Sequence, residues 1–229
     1  MELLSADHVG ALLAIAAVGA ALLVVARARP GAWLVPASRA LAVVVLAAYL
    51  TDHAVAESRG IWTVRLYLPL HLSDAATLVA VAALWSARPA LVELTYFWGL
   101  TGALQATLTP DLGHEFPDVL YVTYFATHGG VVAAALLLVA GRGIAPRRGA
   151  AVRAFAATVA LAAAAAVGCL ATGGNYMFLR RKPPDSLLDL LGPWPFYIAG
   201  AALLAAAMFA LLAAPFRGRA QNAVASTSG

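Results

Sequence analysis

Charge and cysteine are both scarce in this chain of 229 residues. Only 11% of its residues are charged and 62% are hydrophobic, whereas an ordinary soluble domain has about 25% charged residues. Mean hydropathy is +0.84. The single cysteine, Cys169, excludes an intrachain disulfide and a multi-cysteine zinc or iron–sulfur site. This composition excludes an ordinary soluble domain and predicts an integral membrane protein.

A nucleic-acid partner is also excluded, although the formal net charge is +4. The basic residues are scattered between long apolar runs, which is how membrane proteins distribute them. Membrane lipids are the expected partners, and no nucleic acid is expected. The sequence predicts no particular protein partner.

Long apolar segments make up most of the chain. Since a spanning helix needs about 20 mostly apolar residues, we predict an all-α polytopic membrane protein, a bundle of seven transmembrane helices. Residues 1–220 form its single domain, and the small polar tail 221–229 is predicted to be disordered. The predicted spans are residues 9–26, 40–55, 66–85, 90–108, 118–140, 151–172 and 195–214.

The distribution of basic residues predicts the orientation in the cell membrane. Ten lie in the C-terminal tail and the loops 1–2, 3–4 and 5–6, and five lie in the loops on the opposite side. Because Lys and Arg concentrate on the cytoplasmic side, the N-terminus is predicted outside and the C-terminus inside. The exception, residues 180–182, has Asp185 and Asp189 near enough in sequence to pair with it. Residues 1–8 lack Lys and Arg, so the first span is not expected to be a cleaved signal peptide.

Ionisable residues inside spanning helices indicate a functional site, because burying them in a membrane is costly. His71 and Asp74 are three residues apart and share a helix face, whereas Ser73 points elsewhere. A base for Ser73 must therefore come from another helix. The best candidate is His128, and Tyr124 lies one turn before it, near enough for its phenol to hydrogen-bond the imidazole.

Several further polar residues are expected to converge in the outer half of the bundle. Trp98 shares a helical stripe with Gln105, and it is included as a candidate substrate contact. The alternative is that these groups are interhelical hydrogen-bond links without a catalytic role. The predicted ring consists of His71, Asp74, Gln105, Tyr121, Tyr124, His128, Asn175 and Tyr176.

Cofactor chemistry finds little support, and no cofactor is predicted. The only lysine, Lys182, lies in a loop, so a retinal Schiff base is excluded. The five histidines show no HxxxH pair, and the unequal depths of His71 and His128 disfavour a bridging haem. Asp74 as a third ligand leaves metal-assisted hydrolysis as a weaker alternative.

Short motifs along helices 3 to 7 resemble the YwaF-type family of small bacterial integral membrane proteins, which is related to the eukaryotic transmembrane protein 164 family. The motifs are short, but their order and polar content are shared. They are Leu68-Pro-Leu-His-Leu-Ser73, Tyr96-Phe-Trp-Gly99, Thr109-Pro-Asp111, Phe116-Pro117, Tyr124-Phe125, His128-Gly129, Asn175-Tyr-Met-Phe-Leu-Arg180, Lys182-Pro183 and Leu187-Leu-Asp-Leu-Leu-Gly-Pro-Trp-Pro195.

This resemblance implies acyl transfer on phospholipids, because the eukaryotic relatives resemble acyltransferases with a cysteine nucleophile. In the family pattern that cysteine commonly stands two residues after the histidine that matches His71. This chain has Ser73 at that position. A serine can form an acyl intermediate when a base activates it, but its hydroxyl is not ionised near neutral pH.

The leading hypothesis is therefore a lipid-directed acyltransferase or hydrolase with Ser73 as nucleophile and His128 as general base. Asp74 would orient His71, and Gln105 or Asn175 would donate to the oxyanion. Two alternatives stay open. One is a non-enzymatic lipid or small-molecule binder or transporter that uses the same polar residues, and the other is a structural subunit of a membrane complex.

Overall fold

The computed structural model describes residues 4–183 and 186–217. Every regular element in this part of the chain is helical. The main helices are α1 (Ala6–Ala28), α2 (Leu34–Ser58), α3 (Val64–Tyr67), α4 (Leu72–Ser86), α5 (Pro89–Trp98), α6 (Leu104–Leu108), α7 (Val119–Leu136), α8 (Ala150–Thr172) and α9 (Phe196–Arg217). The predicted tail 221–229 and Asp185 lie outside the described residues.

Five helices within the described residues are long and apolar enough to cross a membrane. They are α1, α2, α8, α9 and the run Val119–Gly141, in which α7 continues into the π-helical segment Leu137–Gly141. Apolar α4 is shorter, with 15 residues. The segment Gly99–Ala103 between α5 and α6 is also π-helical. The structure therefore supports a membrane-type helical protein, with five candidate spans of sufficient length.

The prediction for residues 66–85 was wrong in one respect. The sequence predicts one helix that begins at Leu66 with Pro69 in its first turn. Instead α3 ends at Tyr67, Leu68 is extended, and α4 begins at Leu72 with His71 as its N-cap. The residue before a proline is disfavoured in the helical region, because the ring clashes with its backbone. His71 is consequently at a helix end.

The second span was predicted too short, since α2 covers Leu34–Ser58 rather than residues 40–55. Pro36 is compatible with the first turn, where a missing N–H costs little. Ser38 bonds the carbonyl of Leu34 at 2.7 Å and is fully buried. At its other end α2 extends past Asp52 and His53, so both are helical.

Helix α7 is the centre of the bundle and packs against α1, α2, α4, α5 and α6. Two glycines on α7 permit the close approach of α1 and α2. A Cβ at Gly129 would lie 2.6 Å from Ile15 Cγ1, and one at Gly130 would lie 2.4 Å from Val45 Cγ2. Helices α8 and α9 pack together beside α5. The close contacts of α7 with α1 and α2 therefore depend on glycine at these two positions.

Gly130→Ala is expected to lower the free energy of unfolding by roughly 1–3 kcal/mol, as overpacked cores do. Val45 is fully buried and, being β-branched, has essentially one rotamer in a helix, so it cannot move aside. Unfolding followed by circular dichroism in detergent micelles measures the change. Val45→Ala in the same protein should recover most of the loss.

Gly10→Ala is the matched control, because a Cβ at Gly10 meets no atom within 4 Å. Alanine is the better helix former by about 1 kcal/mol, so this variant should be neutral or more stable. Equal losses in the Gly10 and Gly130 variants would contradict the close-approach explanation.

Candidate functional site

The two ends of the bundle differ in charge. One end, here called the arginine end, is formed by the C-termini of α1, α4, α7 and α9 and the N-termini of α2, α5 and α8. Glu93 is the only carboxylate there among the described residues. The arginines of this end in the described ranges are Arg27, Arg29, Arg39, Arg88, Arg142, Arg147, Arg148, Arg153 and Arg217.

Glu93 is held by two arginines at this end. Its side chain is 3% exposed, and its carboxylate lies 2.7 Å from Arg147 Nε and 2.9 Å from Arg153 Nη2. The backbone amide of Arg147 also donates to Glu93. The hydrogen bond that Arg147 donates to the Glu93 carboxylate raises the pKa of Arg147. Glu93 thus ties α5 to α8 and to the loop before it.

At the opposite end, called the acidic end, the imidazole of His71 contacts the loop that follows α8. The backbone amide of Met177 donates to Nδ1 of His71 at 3.4 Å. The rings of Tyr176 and Phe178 meet the imidazole edge-on, with centroids at 5.5 and 5.9 Å. Because Nδ1 accepts, the proton of the neutral ring is on Nε2. His71 therefore offers Nε2–H as a donor.

His128, on α7, has the opposite tautomer. Its Nδ1 lies 2.8 Å from the carbonyl oxygen of Tyr124, and a carbonyl only accepts, so Nδ1 carries the proton. The lone pair of the neutral ring is then on Nε2. The predicted phenol–imidazole hydrogen bond does not form, because the phenol of Tyr124 donates to the carbonyl of Ala106 at 2.9 Å. Instead the two rings pack with centroids 4.2 Å apart.

Asp111 lies in the loop after α6, near His71 and Tyr124. Its carboxylate interacts electrostatically with both His71 and Tyr124, and the phenol of Tyr124 lies against its backbone amide. Sequence reasoning missed Asp111 as a site residue, although it ends the motif Thr109-Pro-Asp111. We use the name polar cluster for His71, Asp74, Asp111, Tyr124 and His128.

Asp74, on α4, lies close enough to Asp52 of α2 for the two charges to interact. Its carboxyl group interacts with the backbone amide of His71 and with the charge of Asp52 on α2. Asp52 accepts a hydrogen bond from Thr123 on α7 at 2.8 Å, and Tyr49 is near both carboxylates. Sequence reasoning missed Asp52 and Tyr49 because the predicted second span ended just beyond them. The sequence pattern that could have identified them is an acid and a phenol three residues apart on one helix.

Ser73 lies at the start of α4 and is partly buried. Its backbone carbonyl accepts from Thr77 at 2.8 Å. Both histidines use Nδ1 for backbone groups, and within the described residues the Ser73 hydroxyl makes no hydrogen bond to either ring. Ser73 therefore lies next to Asp74 and two residues from His71 along the chain, without a formed serine–histidine pair.

The other predicted contacts have different partners. The amide of Gln105 donates to Thr109 Oγ1 at 2.6 Å. The side-chain oxygen of Asn175 accepts hydrogen bonds from the backbone amides of Arg180 and Arg181, within the same loop. Neither side chain is directed at the polar cluster by a hydrogen bond.

The three other aromatic residues predicted for the site lie in different parts of the structure. Fully buried Tyr176 contacts His71 with its ring and donates its hydroxyl to the carbonyl of Val64. Tyr121 donates to the carbonyl of Asp7 at 2.6 Å, which links α7 to α1. Trp98 donates to Thr158 on α8 at 2.8 Å. Only Tyr176 therefore touches a member of the polar cluster.

His8 is a further buried histidine, and its role is structural. Its Nε2 lies 2.9 Å from the carbonyl of Thr107, and its Nδ1 accepts from the amide of Leu4 at 3.1 Å. Both ring nitrogens are thereby satisfied. His8 fixes the start of α1 against α6.

Ion pairs at the acidic end join separate elements. Arg59 donates to both oxygens of Asp118, at 3.0 and 2.8 Å, and lowers the pKa of that carboxyl. The predicted pairing of Asp189 with the basic segment is confirmed, since Lys182 Nζ lies 2.8 Å from its carboxylate. In the described ranges, no group of three or more His, Cys, Asp and Glu is arranged to hold a metal ion.

These features define an all-helical, membrane-type protein with ionisable side chains between helices at one end. The family model for the TMEM164 family matches residues 3–213, so the chain belongs to the TMEM164 family. This confirms the predicted relation to the transmembrane protein 164 family, whereas the YwaF-type label stays a prediction. Neither a curated protein nor a solved structure matches the chain.

The Arg59–Asp118 pair predicts a pH dependence. A free Asp has a pKa of about 3.9, and the lower pKa in the folded protein means that this contribution to stability is present above that pH. It is lost as the pH falls through the lowered pKa. Asp118→Asn keeps the N-cap acceptor but removes the charge. The melting-temperature difference between wild type and this variant should shrink as the pH is lowered from 7 to 2.5. A difference that stays constant would contradict this contribution.

Proposed function

We propose that this chain is a seven-span membrane protein that transfers acyl groups of membrane lipids at the polar cluster, with hydrolysis when water is the acceptor. The observation that carries the proposal is the orientation of His128. Its Nδ1–H is bound to the carbonyl of Tyr124 at 2.8 Å, so the neutral ring offers Nε2 as a proton acceptor. A histidine oriented in this way is suited to general-base catalysis.

Ser73 is the proposed nucleophile, because it lies on α4, which packs against α7. Its hydroxyl oxygen would attack the acyl carbonyl while the proton passes to Nε2 of His128. As the bond between the acyl carbon and the lipid oxygen breaks, the leaving lipid alkoxide would take that proton. The acyl group would remain on Ser73 as an ester. An acceptor alcohol, or water, would then attack the ester and lose its proton to Nε2 of His128. As the acyl–serine bond breaks, Nε2 would return that proton to the hydroxyl oxygen of Ser73.

His71 has a role that fits its own tautomer. Because Nδ1 accepts from Met177, Nε2–H is available to stabilise the oxyanion that forms during attack. The carboxyl of Asp74 interacts with the backbone of His71 and would help to fix its position. Gln105 and Asn175, the oxyanion donors predicted from sequence, would need to exchange their present partners.

Ser73→Ala and His128→Asn are expected to abolish the reaction, while Ser73→Cys should retain it because a thiol is the stronger nucleophile. Loss of a general base costs about a hundredfold or more. Lipid acyl composition, measured by mass spectrometry in a strain that lacks the gene, is compared between complementing variants. Ser86→Ala, at the other end of α4, is the matched control and should behave as wild type.

Normal acyl composition in both the Ser73→Ala and His128→Asn strains, at wild-type protein level, would overturn the acyl-transfer proposal. That result would favour the second candidate, a lipid or small-molecule binder. The observation that favours this candidate is that neither histidine is bonded to Ser73. A binder keeps its ligand when Ser73 becomes alanine, whereas an enzyme loses turnover.

The remaining two spans and the orientation also belong to the proposal. Helix α4 and the continuous run from α5 through the π-helical segment to α6 would cross the membrane beside the five longer helices. The arginine end, with its single neutralised carboxylate in the described ranges, would face the cytoplasm because positive charge is retained there. The N-terminus would then be outside the cell membrane and the C-terminus inside.

Cysteine labelling tests this orientation in a Cys169→Ala background. Glu115→Cys, at the acidic end, should react with a membrane-impermeant maleimide in intact cells. Arg148→Cys, at the arginine end, should react only after the cells are permeabilised. The reverse pattern would show the opposite orientation, and labelling of both in intact cells would contradict a spanning bundle.

A further inference from the structure

An apolar groove runs along the outside of the bundle between α2, α4 and α5. It has a volume of about 460 Å³. Its walls are Leu46 from α2, Leu78, Val81 and Trp85 from α4, and Leu91 from α5. Leu78 and Trp85 are 40% and 57% exposed. The groove is thus open along its length and suited to a hydrocarbon chain.

Two arginines stand at the arginine end of this groove. Arg88 lines it directly and is the N-cap residue of α5. The guanidinium of Arg39, from α2, lies 5.4 Å from the ring centroid of Trp85, a cation–π contact that keeps it over the groove. Both side chains are exposed. Positive charge from two helices therefore meets where the apolar groove ends.

These two arginines have no carboxylate partner within the described residues. Glu93, the one described carboxylate at this end, is occupied by Arg147 and Arg153. Arg39 and Arg88 are therefore available to an external anion. A phospholipid with a negatively charged headgroup matches this arrangement, because its acyl chain is apolar and its headgroup supplies the anion.

We propose that this groove is a binding site for an anionic phospholipid of the leaflet at the arginine end. One acyl chain lies along Leu46, Leu78 and Leu91, and the headgroup phosphate binds Arg39 and Arg88. Each arginine near an anionic lipid surface contributes about 1 kcal/mol, which corresponds to roughly fivefold in affinity.

A second copy of this chain is the less suitable occupant. Copies in one membrane share one orientation, so the arginine end of each would face the arginine end of the other. The described carboxylate at that end, Glu93, is 3% exposed and already paired. Contact across the groove would bring like charges together with no counter-charge between them.

The groove is separate from the polar cluster. Leu78, Val81 and Trp85 follow one stripe of α4, whereas Thr77, Ala80 and Leu84 are buried against the bundle. None of the residues that line the groove belongs to the polar cluster. Asp74 lies one turn before Leu78 on the same stripe, towards the acidic end and beyond the groove. The proposal therefore stands whether or not the polar cluster is catalytic.

The test is a lipid titration of the full chain in detergent, with bound lipid counted by native mass spectrometry. The probes are phosphatidylglycerol and phosphatidylcholine with identical acyl chains. Wild type should bind phosphatidylglycerol more tightly, and the double variant Arg39→Gln, Arg88→Gln should lose roughly 25-fold in that affinity, about fivefold for each arginine. Its affinity for phosphatidylcholine should change little.

The matched control is the double variant Arg29→Gln, Arg148→Gln, which removes two exposed arginines from the same end but none from the groove. It should keep the wild-type preference. A third variant, Leu78→Trp, narrows the groove without changing charge and should weaken the binding of both lipids.

Three results would overturn the site. An equal loss in the control pair would show general surface attraction. Equal binding of the two lipids by wild type would show that the arginines do not select a headgroup. Unchanged binding in the Leu78→Trp variant, with a wild-type circular dichroism spectrum, would show that lipid does not occupy the groove.

Discussion

The close approach of α1 and α2 to the central helix α7 is the constraint on which the rest of the structure depends. It is possible because α7 has Gly129 and Gly130 where Ile15 and Val45 press against it, at distances that exclude even a Cβ. A membrane provides no hydrophobic force between helices, so van der Waals packing at small residues contributes much of the stability of helix association. The same packing leaves another face of α7, with Tyr124, against α6.

Charge is segregated along the bundle with different consequences at each end. At the arginine end, Glu93 is neutralised by two arginines. The other arginines of that end are exposed, except Arg142, which donates to buried Ser38. At the acidic end, the charge of Asp52 on α2 acts on Asp74 of α4, and the charge of Asp111, in the loop after α6, acts on His71. The first arrangement suits an interface with anionic lipids, and the second suits proton transfer.

Much of the candidate site was predictable, but its geometry was not. Periodicity placed Tyr124 above His128 on one face of α7, and the rings do pack at 4.2 Å. Their hydrogen bonds could not be predicted, because each group found a backbone carbonyl as partner. Asp111 and Asp52 were missed because their proximity to the cluster arises from loop folding and helix rotation, which leave no periodic signal.

The sequence by itself determined the class of protein, the approximate helix positions and the charge asymmetry, because these follow from local composition and its order along the chain. Only the tertiary structure decided which helices touch, which tautomers His8 and His71 adopt, and that His71 begins a helix instead of lying within one. Those properties depend on partners distant in sequence, such as Met177 for His71 and Thr107 for His8. Contacts of this kind are fixed by packing, which local residue preferences do not specify.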